Sequence, residues 1–221
     1  MEKYYNSYYE FIRNNYKANE ETYLKINSLF GEFIIIYEHH NDILRTNFHY
    51  LFEGVGLKEP GYLNHIIVDL SDFQFNQKYI SILKRFLKSK HKGKKPEQIA
   101  LYENQFKLLS QYETHLDDVR NLRNSLMHRK WEIVHYIDET IFGYTSTKIR
   151  YAKKTKTLKL TNMEIDIKNL ENAVKNLCGL VDLSTVIEFH LSHSGNPFES
   201  NTPELLNKIN FKELITDTNP A

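Results

Sequence analysis

The amino-acid sequence predicts an all-α bundle with one β-hairpin inserted before its last core helix. Over most of the first 130 positions, apolar residues recur at three- and four-residue steps, which is the period of amphipathic helices. Between about 140 and 160 the pattern changes to alternation rich in threonine, tyrosine and isoleucine, which favours two paired strands. A helical period returns at residue 164.

The helical segments can be placed along the chain by their apolar period and by glycine and proline. Residues 53–73 contain three glycines and Pro60, so this segment is expected to connect two helices. Pro96 suits the first turn of the helix that follows it. The predicted helices cover residues 4–16, 20–51, 74–90, 96–130, 164–192 and 203–209. The predicted buried stripes are Leu24, Phe30, Phe33, Ile34, Tyr37, Leu44, Phe48 and Leu51 in the second helix, and Leu170, Val174, Leu177, Val181, Val186 and Phe189 in the fifth.

Length and composition suit one helical domain with an appendage. We expect a domain over residues 1–193 and a loosely attached extension over 194–221. The longest apolar run, "FIIIY" at 33–37, is far too short to span a bilayer, and the first residues lack the apolar core of a signal peptide. Cys178 is the single cysteine, which excludes an internal disulfide and fits a reducing cytoplasm. A cytoplasmic protein without a membrane partner is expected.

The net charge of +1 conceals strong segregation of charge. Residues 84–95 carry seven Lys or Arg and residues 148–159 carry six, and neither segment contains an acid. Subtracting these thirteen positive charges from +1 leaves −12 on the rest of the chain. Such segments can create a local positive field that attracts a polyanion. The alternative is that both are simply solvated loops.

The run "VRNLRNSLMHRKW" at 119–131 places unusual polar residues on a helix. At 100° per residue, Asn124 and His128 lie one turn apart on a shared face, and Arg120 lies beside them. Arg123 falls on the flank between that face and the aliphatic side, about 7.5 Å along the axis from His128. The opposite side is the predicted buried stripe of Leu108, Tyr112, Val119, Leu122 and Leu126.

These side chains suffice chemically for RNA cleavage by attack of the 2′-hydroxyl group. Imidazole titrates near neutral pH and can transfer protons. A guanidinium is permanently charged and can stabilise the negative charge on a pentacovalent phosphate, while a carboxamide can orient either group. The mechanism requires no metal ion and no cofactor.

The segment "RNSLMH" at 123–128 resembles the R-x(4–6)-H motif of the HEPN superfamily (higher eukaryotes and prokaryotes nucleotide-binding domains). Members are helical bundles that carry the motif on a late core helix, and the residue after the arginine is typically polar, often asparagine. Many are metal-independent endoribonucleases of toxin–antitoxin, abortive-infection and CRISPR systems, and they generally form dimers with the site at the interface. The resemblance implies that Arg123, Asn124 and His128 are catalytic. It also implies RNA as substrate and a homodimer.

Two other Arg–His pairs satisfy the spacing, but they fit the motif less well. Arg85 is followed by Phe86, and Arg129 is followed by Lys130, where the family prefers a polar residue such as asparagine. Lys130 also stands where the HEPN toxins paired with a minimal nucleotidyltransferase antitoxin have tyrosine. The resemblance therefore favours the longer phage-defence type, with an antitoxin or defence-system protein as a possible partner. The residues expected to contact RNA phosphates are Arg120, Arg129, Lys130, Lys92, Lys94, Lys95, Lys153 and Lys154.

Other interpretations of these residues remain open. Asn124 and His128 can belong to an ordinary solvated helix face. His39 and His40 are adjacent and diverge by 100° on a helix, so a metal site with Asp42 is not expected. The chain can also be a non-catalytic HEPN module that binds RNA, nucleotide or a protein partner. A plain helical dimerisation scaffold is the third possibility.

Overall fold

The protein is mainly helical, which confirms the predicted class. Its computed structural model describes residues 20–53, 70–91, 99–128, 132–134, 143–152, 157–193, 195–198, 202–211, 214 and 216–218. The predicted helix at 4–16 lies outside these residues. In chain order the described elements are α1 (Glu20–Glu53), α2 (Asp72–His91), α3 (Ile99–His128), β1 (Glu132–Val134), β2 (Gly143–Ala152), β3 (Thr157–Asp166), α4 (Ile167–Ser192), α5 (Thr202–Lys208) and β4 (Thr216–Thr218).

The chain divides into two compact units, and the division does not follow the predicted boundary at residue 194. The helical unit comprises residues 34–128 and 173–213, and the sheet unit comprises residues 1–33, 129–172 and 214–221. The helical unit therefore contains α2, α3 and α5 together with most of α1 and α4. All side chains of the predicted catalytic motif that the structure describes belong to it.

The helical period predicts the buried residues of α3 correctly and those of α4 only in part. All five residues of the α3 stripe are buried, and so are Tyr37, Leu44, Phe48 and Leu51 in α1, whereas Leu24 is exposed. In α4 the predicted stripe holds as far as Leu177, but Phe189 is exposed. The residues that continue the buried face of α4 are Leu180, Leu183, Ser184, Ile187 and Leu191.

A polar cluster around Ser184 lies on the buried face of α4 beyond Leu177. Ser184 is completely buried, and its Oγ lies 2.9 Å from His40 Nε2 and 2.8 Å from the Tyr112 hydroxyl. Asn47 Nδ2 donates to the Ser184 carbonyl oxygen at 3.0 Å and approaches the Tyr79 hydroxyl at 3.5 Å. We call these five residues the Ser184 cluster. Leu180, Leu183, Ile187 and Leu191 carry the apolar period past Leu177, and Ser184 is a polar residue on that same buried face.

Helix α2 begins with a capping box, two residues before the predicted start. Ser71 Oγ accepts a hydrogen bond from the Gln74 amide at 3.4 Å, and Gln74 Oε1 accepts one from the Ser71 amide at 3.2 Å. This reciprocal pair satisfies two amide groups that a helix start leaves unpaired. It also fixes Asp72 in the first turn, where a carboxylate interacts favourably with the helix dipole.

The described residues between 195 and 211 include several that are packed, although the sequence predicts a loosely attached extension there. Phe198, Leu206, Ile209 and Phe211 are buried, and the ring of Phe198 contacts the ring of Tyr112 edge-on, with centroids 6.4 Å apart. The Asn210 amide donates to Asn176 Oδ1 at 3.3 Å. Four apolar residues spaced among polar ones carry no clear helical period, so their burial could not be read from the sequence.

The described strands form one antiparallel sheet in the order β1-β2-β3-β4. Strands β2 and β3 pair along their whole length, from Gly143 opposite Asp166 to Ala152 opposite Thr157. The pair extends past the predicted limit of 160, so α4 begins three residues later than expected. The edge strands β1 and β4 have three residues each and were not predicted, because so short a segment has no detectable alternation. In the described part of the chain, no helix has the length and apolar character needed to cross a membrane.

His40 should make the protein less stable in mild acid. Burial lowers the pKa of His40 from 6.5 to about 3. Between those values the unfolded chain binds a proton that the folded chain does not, so the free energy of unfolding falls as the pH falls below 6.5. The slope from this one group is about 1.4 kcal/mol per pH unit.

The measurement is urea unfolding of wild type, His40→Gln and His39→Gln at pH values from 7.5 down to 5. His39 is the exposed neighbour, so its variant is the matched control. In this window we expect the free energy of unfolding of His40→Gln to depend on pH less steeply than that of wild type, by about 1.4 kcal/mol per pH unit. The His39→Gln variant should keep the wild-type slope. Identical pH dependence in all three proteins would contradict the assignment.

Candidate functional site

The last turns of α3 hold the predicted catalytic residues against a buried aliphatic side. Val119, Leu122 and Leu126 are each at most 3% exposed. Asn124 is exposed and Arg123 is half-buried, with 24% of its side chain accessible. The outward position of Asn124 and the flank position of Arg123 are therefore confirmed. His128 is the last residue of α3, and its side chain lies outside the described part of the structure.

Arg123 is positioned by residues of α1, a helix that is distant from it in sequence. Its guanidinium carbon lies 5.7 Å from the centre of the Tyr37 ring, a cation–π distance. Its Nη2 lies 3.8 Å from a carboxylate oxygen of Glu38, which is too long for a hydrogen bond. Its Nη1 donates to Asn124 Oδ1 at 3.3 Å. Within the described residues, its buried Nε has no hydrogen-bond partner.

Tyr37 is itself fixed by the start of α2. Its hydroxyl donates to Asp72 Oδ2 at 3.0 Å, and Asp72 is held in place by the capping box. Burial raises the pKa of Tyr37 far above its ordinary value, and the neighbouring Asp72 carboxylate raises it further. Tyr37 is therefore a neutral phenol that supports the Arg123 guanidinium with its ring face.

Arg120 is more fully engaged within the chain than Arg123. Its Nη1 lies 3.0 Å from Asp117 Oδ1, and only 12% of its side chain is exposed. Its guanidinium carbon lies 4.6 Å from the centre of the Phe73 ring, and its Nη2 donates to Asn121 Oδ1 at 3.3 Å. A phosphate would have to compete with Asp117, so the predicted RNA contact by Arg120 stays a prediction.

The remaining predicted RNA contacts cannot be placed. They lie outside the described residues: Lys92, Lys94, Lys95, Arg129, Lys130, Lys153 and Lys154. Among the side chains that the structure does describe, no three of the His, Cys, Asp or Glu type come together as a possible metal site. His40 belongs to the buried Ser184 cluster, whereas His39 is exposed.

Tyr37 and Glu38, which contact Arg123, and Asp72, which accepts from Tyr37, were not predicted as parts of the site. Tyr37 and Glu38 are about 85 positions away in sequence, and Tyr37 was identified only as a core residue. A signal for Asp72 was present, because Ser71 followed by Gln74 is the pattern of a capping box and places Asp72 in the first turn. No comparable signal exists for Glu38, since contact between distant helices depends on how they pack.

Comparison with known proteins gives no relative. The chain matches no family model, and no curated protein and no solved structure is significantly similar to it.

The Tyr37–Asp72 hydrogen bond should contribute measurably to stability. Tyr37→Phe removes the hydroxyl and leaves a partly buried carboxylate without its donor, so we expect a loss of about 1.5 to 3 kcal/mol in the free energy of unfolding. Urea unfolding of Tyr37→Phe, Asp72→Asn and the double variant gives the coupling between the two side chains.

Tyr50→Phe is the matched control, because Tyr50 is part-exposed on the same helix. We expect it to change the free energy of unfolding by less than about 0.5 kcal/mol. If the two single substitutions at Tyr37 and Asp72 added without coupling, the hydrogen bond would not hold in solution.

Proposed function

We propose that the protein is a metal-independent endoribonuclease of the HEPN type, active as a homodimer. The supporting observation is the incomplete bonding of Arg123. Its only described hydrogen bond goes to its neighbour Asn124, its nearest carboxylate is 3.8 Å away, and its Nε is buried without a described partner. The side chain is 24% exposed, so the accessible donors of this guanidinium are suited to binding a phosphate group.

The reaction would be cleavage by the neighbouring 2′-hydroxyl group. His128 takes the proton of that hydroxyl as the oxygen attacks phosphorus, and the imidazolium so formed gives this proton to the 5′-oxygen as the bond between that oxygen and phosphorus breaks. The products are a 2′,3′-cyclic phosphate and a 5′-hydroxyl. Arg123 stabilises the charge on the non-bridging oxygens of the pentacovalent phosphate, and Asn124 orients Arg123 through the hydrogen bond already present.

The cellular role follows only from the resemblance. We propose a cytoplasmic toxin or phage-defence effector whose helical domain is HEPN-like, with the hairpin before α4 as part of that fold. An antitoxin or a second defence protein would control it. Neither role alters the chemistry at Arg123 and His128.

One observation favours a second candidate function. Stacking on Tyr37 and proximity to Glu38 are also what a structural arginine would show, and the Glu38 carboxylate competes with phosphate for the same guanidinium. The alternative is a non-catalytic HEPN module that binds RNA, nucleotide or a protein. Such a protein would retard RNA in a gel without forming product.

Loss of the imidazole or the guanidinium should abolish cleavage without unfolding the protein. We expect His128→Ala and Arg123→Ala each to lower the rate of RNA cleavage by at least about 100-fold, because general acid–base and electrostatic catalysis each contribute that much. Arg123→Lys should also be impaired, since an ammonium lacks the planar fork. Cleavage is followed on labelled RNA with EDTA present, and dimerisation by analytical ultracentrifugation.

Arg45→Ala and His39→Ala are the matched controls. Arg45 pairs with Asp42 on the surface of α1, and His39 is exposed. Both controls should cleave at the wild-type rate. Full activity of His128→Ala would disprove the mechanism, and loss of wild-type activity in EDTA would indicate a metal-dependent enzyme.

A further inference from the structure

The register of β2 and β3 determines which charged residues of these strands share a face of the pair. Arg150 lies opposite Lys159, and Lys148 lies opposite Thr161. Opposed residues of an antiparallel pair share a face, and faces alternate along each strand. Lys148, Arg150 and Lys159 therefore lie on one face. The two acidic residues of the pair, Glu164 and Asp166, fall on the other face because they are opposite Thr145 and Gly143.

The three positive residues occupy neighbouring positions of the register. Lys148 and Arg150 are two residues apart, which is about 6.8 Å along a strand. Directly opposed residues such as Arg150 and Lys159 have Cβ atoms about 5 Å apart, and like charges at that position destabilise the pair. No acid of β2 or β3 lies on this face. Asp217 of β4 does, but it is opposite Met163, four β3 positions or about 13.6 Å along the strand from Lys159, too far to offset a repulsion between the directly opposed pair. A bound anion would offset it.

Only the base of the β2–β3 pair is flanked by other described strands. β1 pairs with β2 over Gly143–Thr145, and β4 pairs with β3 over Asn162–Glu164. The rest, residues 146–152 and 157–161, is a two-stranded segment that we call the β-arm. All three positive residues belong to the β-arm, as do Thr157 and Thr161 on the same face. Threonine hydroxyls are common partners of phosphate oxygens.

We propose that this face of the β-arm binds the sugar–phosphate backbone of single-stranded RNA. That the polyanion is RNA rests on the proposed function; that the face binds a polyanion rests on the register alone. A single strand can lie along a β-strand with successive phosphates near successive cations. A duplex is disfavoured, because the major groove of A-form RNA is too deep and narrow to be entered. Lys153, Lys154 and Lys156 lie between the two strands in sequence and extend the same basic segment.

The test measures how RNA affinity depends on salt. Each phosphate neutralised on a single strand contributes about 0.7 to the slope of log K against log salt. In the full-length His128→Ala protein, which cannot cleave in the proposed mechanism, Lys148→Gln/Arg150→Gln/Lys159→Gln should lower the slope by about 2. The loss of affinity should be similar for RNAs of different sequence. Binding is followed by anisotropy of a short fluorescein-labelled RNA.

A triple substitution of equal charge is the matched control. Lys78, Lys107 and Lys175 are exposed on helices of the helical unit, so Lys78→Gln/Lys107→Gln/Lys175→Gln should keep the slope. The charge-conserving Lys148→Arg/Arg150→Lys/Lys159→Arg should keep it too, which separates charge from strand folding. An unchanged slope in the β-arm variant, or equal losses in both glutamine triples, would overturn the proposal.

Two further measurements distinguish the β-arm from the nuclease proposal. If wild type cleaves no RNA but β-arm substitution still lowers the salt slope, only the nuclease is disproved. If the same substitution reduces binding to vesicles containing phosphatidylserine and leaves RNA binding unchanged, the β-arm binds membranes and the proposal fails.

Discussion

The Ser184 cluster is the constraint on which the arrangement of the helical unit depends. One buried serine on α4 contacts His40 of α1 and Tyr112 of α3, and its carbonyl oxygen accepts from Asn47, also of α1. Apolar side chains tolerate sliding of one helix past another, whereas a buried hydrogen bond is lost and its partners left unsatisfied when the helices shift. The cluster therefore specifies one register of three helices. It does so with a histidine that burial keeps neutral.

That register decides what surrounds the candidate site. Tyr37 and Glu38 lie within one helical turn of His40 on α1, so fixing His40 also fixes the α1 surface that faces Arg123. The capping box of α2 adds a second restraint, because it holds the carboxylate to which Tyr37 donates. Arg123 thus contacts α1 directly and depends on α2 through the Tyr37–Asp72 hydrogen bond. A guanidinium held this way loses little conformational freedom on binding a phosphate.

Local periodicity predicted the parts of the fold that depend on one helix at a time. The buried stripe of α3 and the flank position of Arg123 follow from 100° per residue, and the structure confirms both. The predictions that failed depend on other elements. Ser184 is buried among three polar partners. The ring of Phe198 is buried against the ring of Tyr112. Glu38 meets Arg123 only after the helices have packed. None of these contacts can be recognised from the local periodicity of the sequence.

Arg120 and Arg123, three residues apart on α3, differ in a way that bears on the proposed function. Arg120 meets a carboxylate at 3.0 Å and covers the Phe73 ring at 4.6 Å, as expected of an arginine that stabilises its own helix packing. Arg123 has the corresponding partners at 3.8 and 5.7 Å, and its buried Nε lacks a described partner. An unsatisfied buried donor costs about 1 to 3 kcal/mol. One buried nitrogen of each arginine, Arg120 Nη1 and Arg123 Nε, has no described hydrogen-bond partner, so the difference between the two lies in their exposed parts. Arg123 is 24% exposed against 12% for Arg120 and has no carboxylate within hydrogen-bond distance, and a phosphate is the ligand that such a guanidinium would fit best.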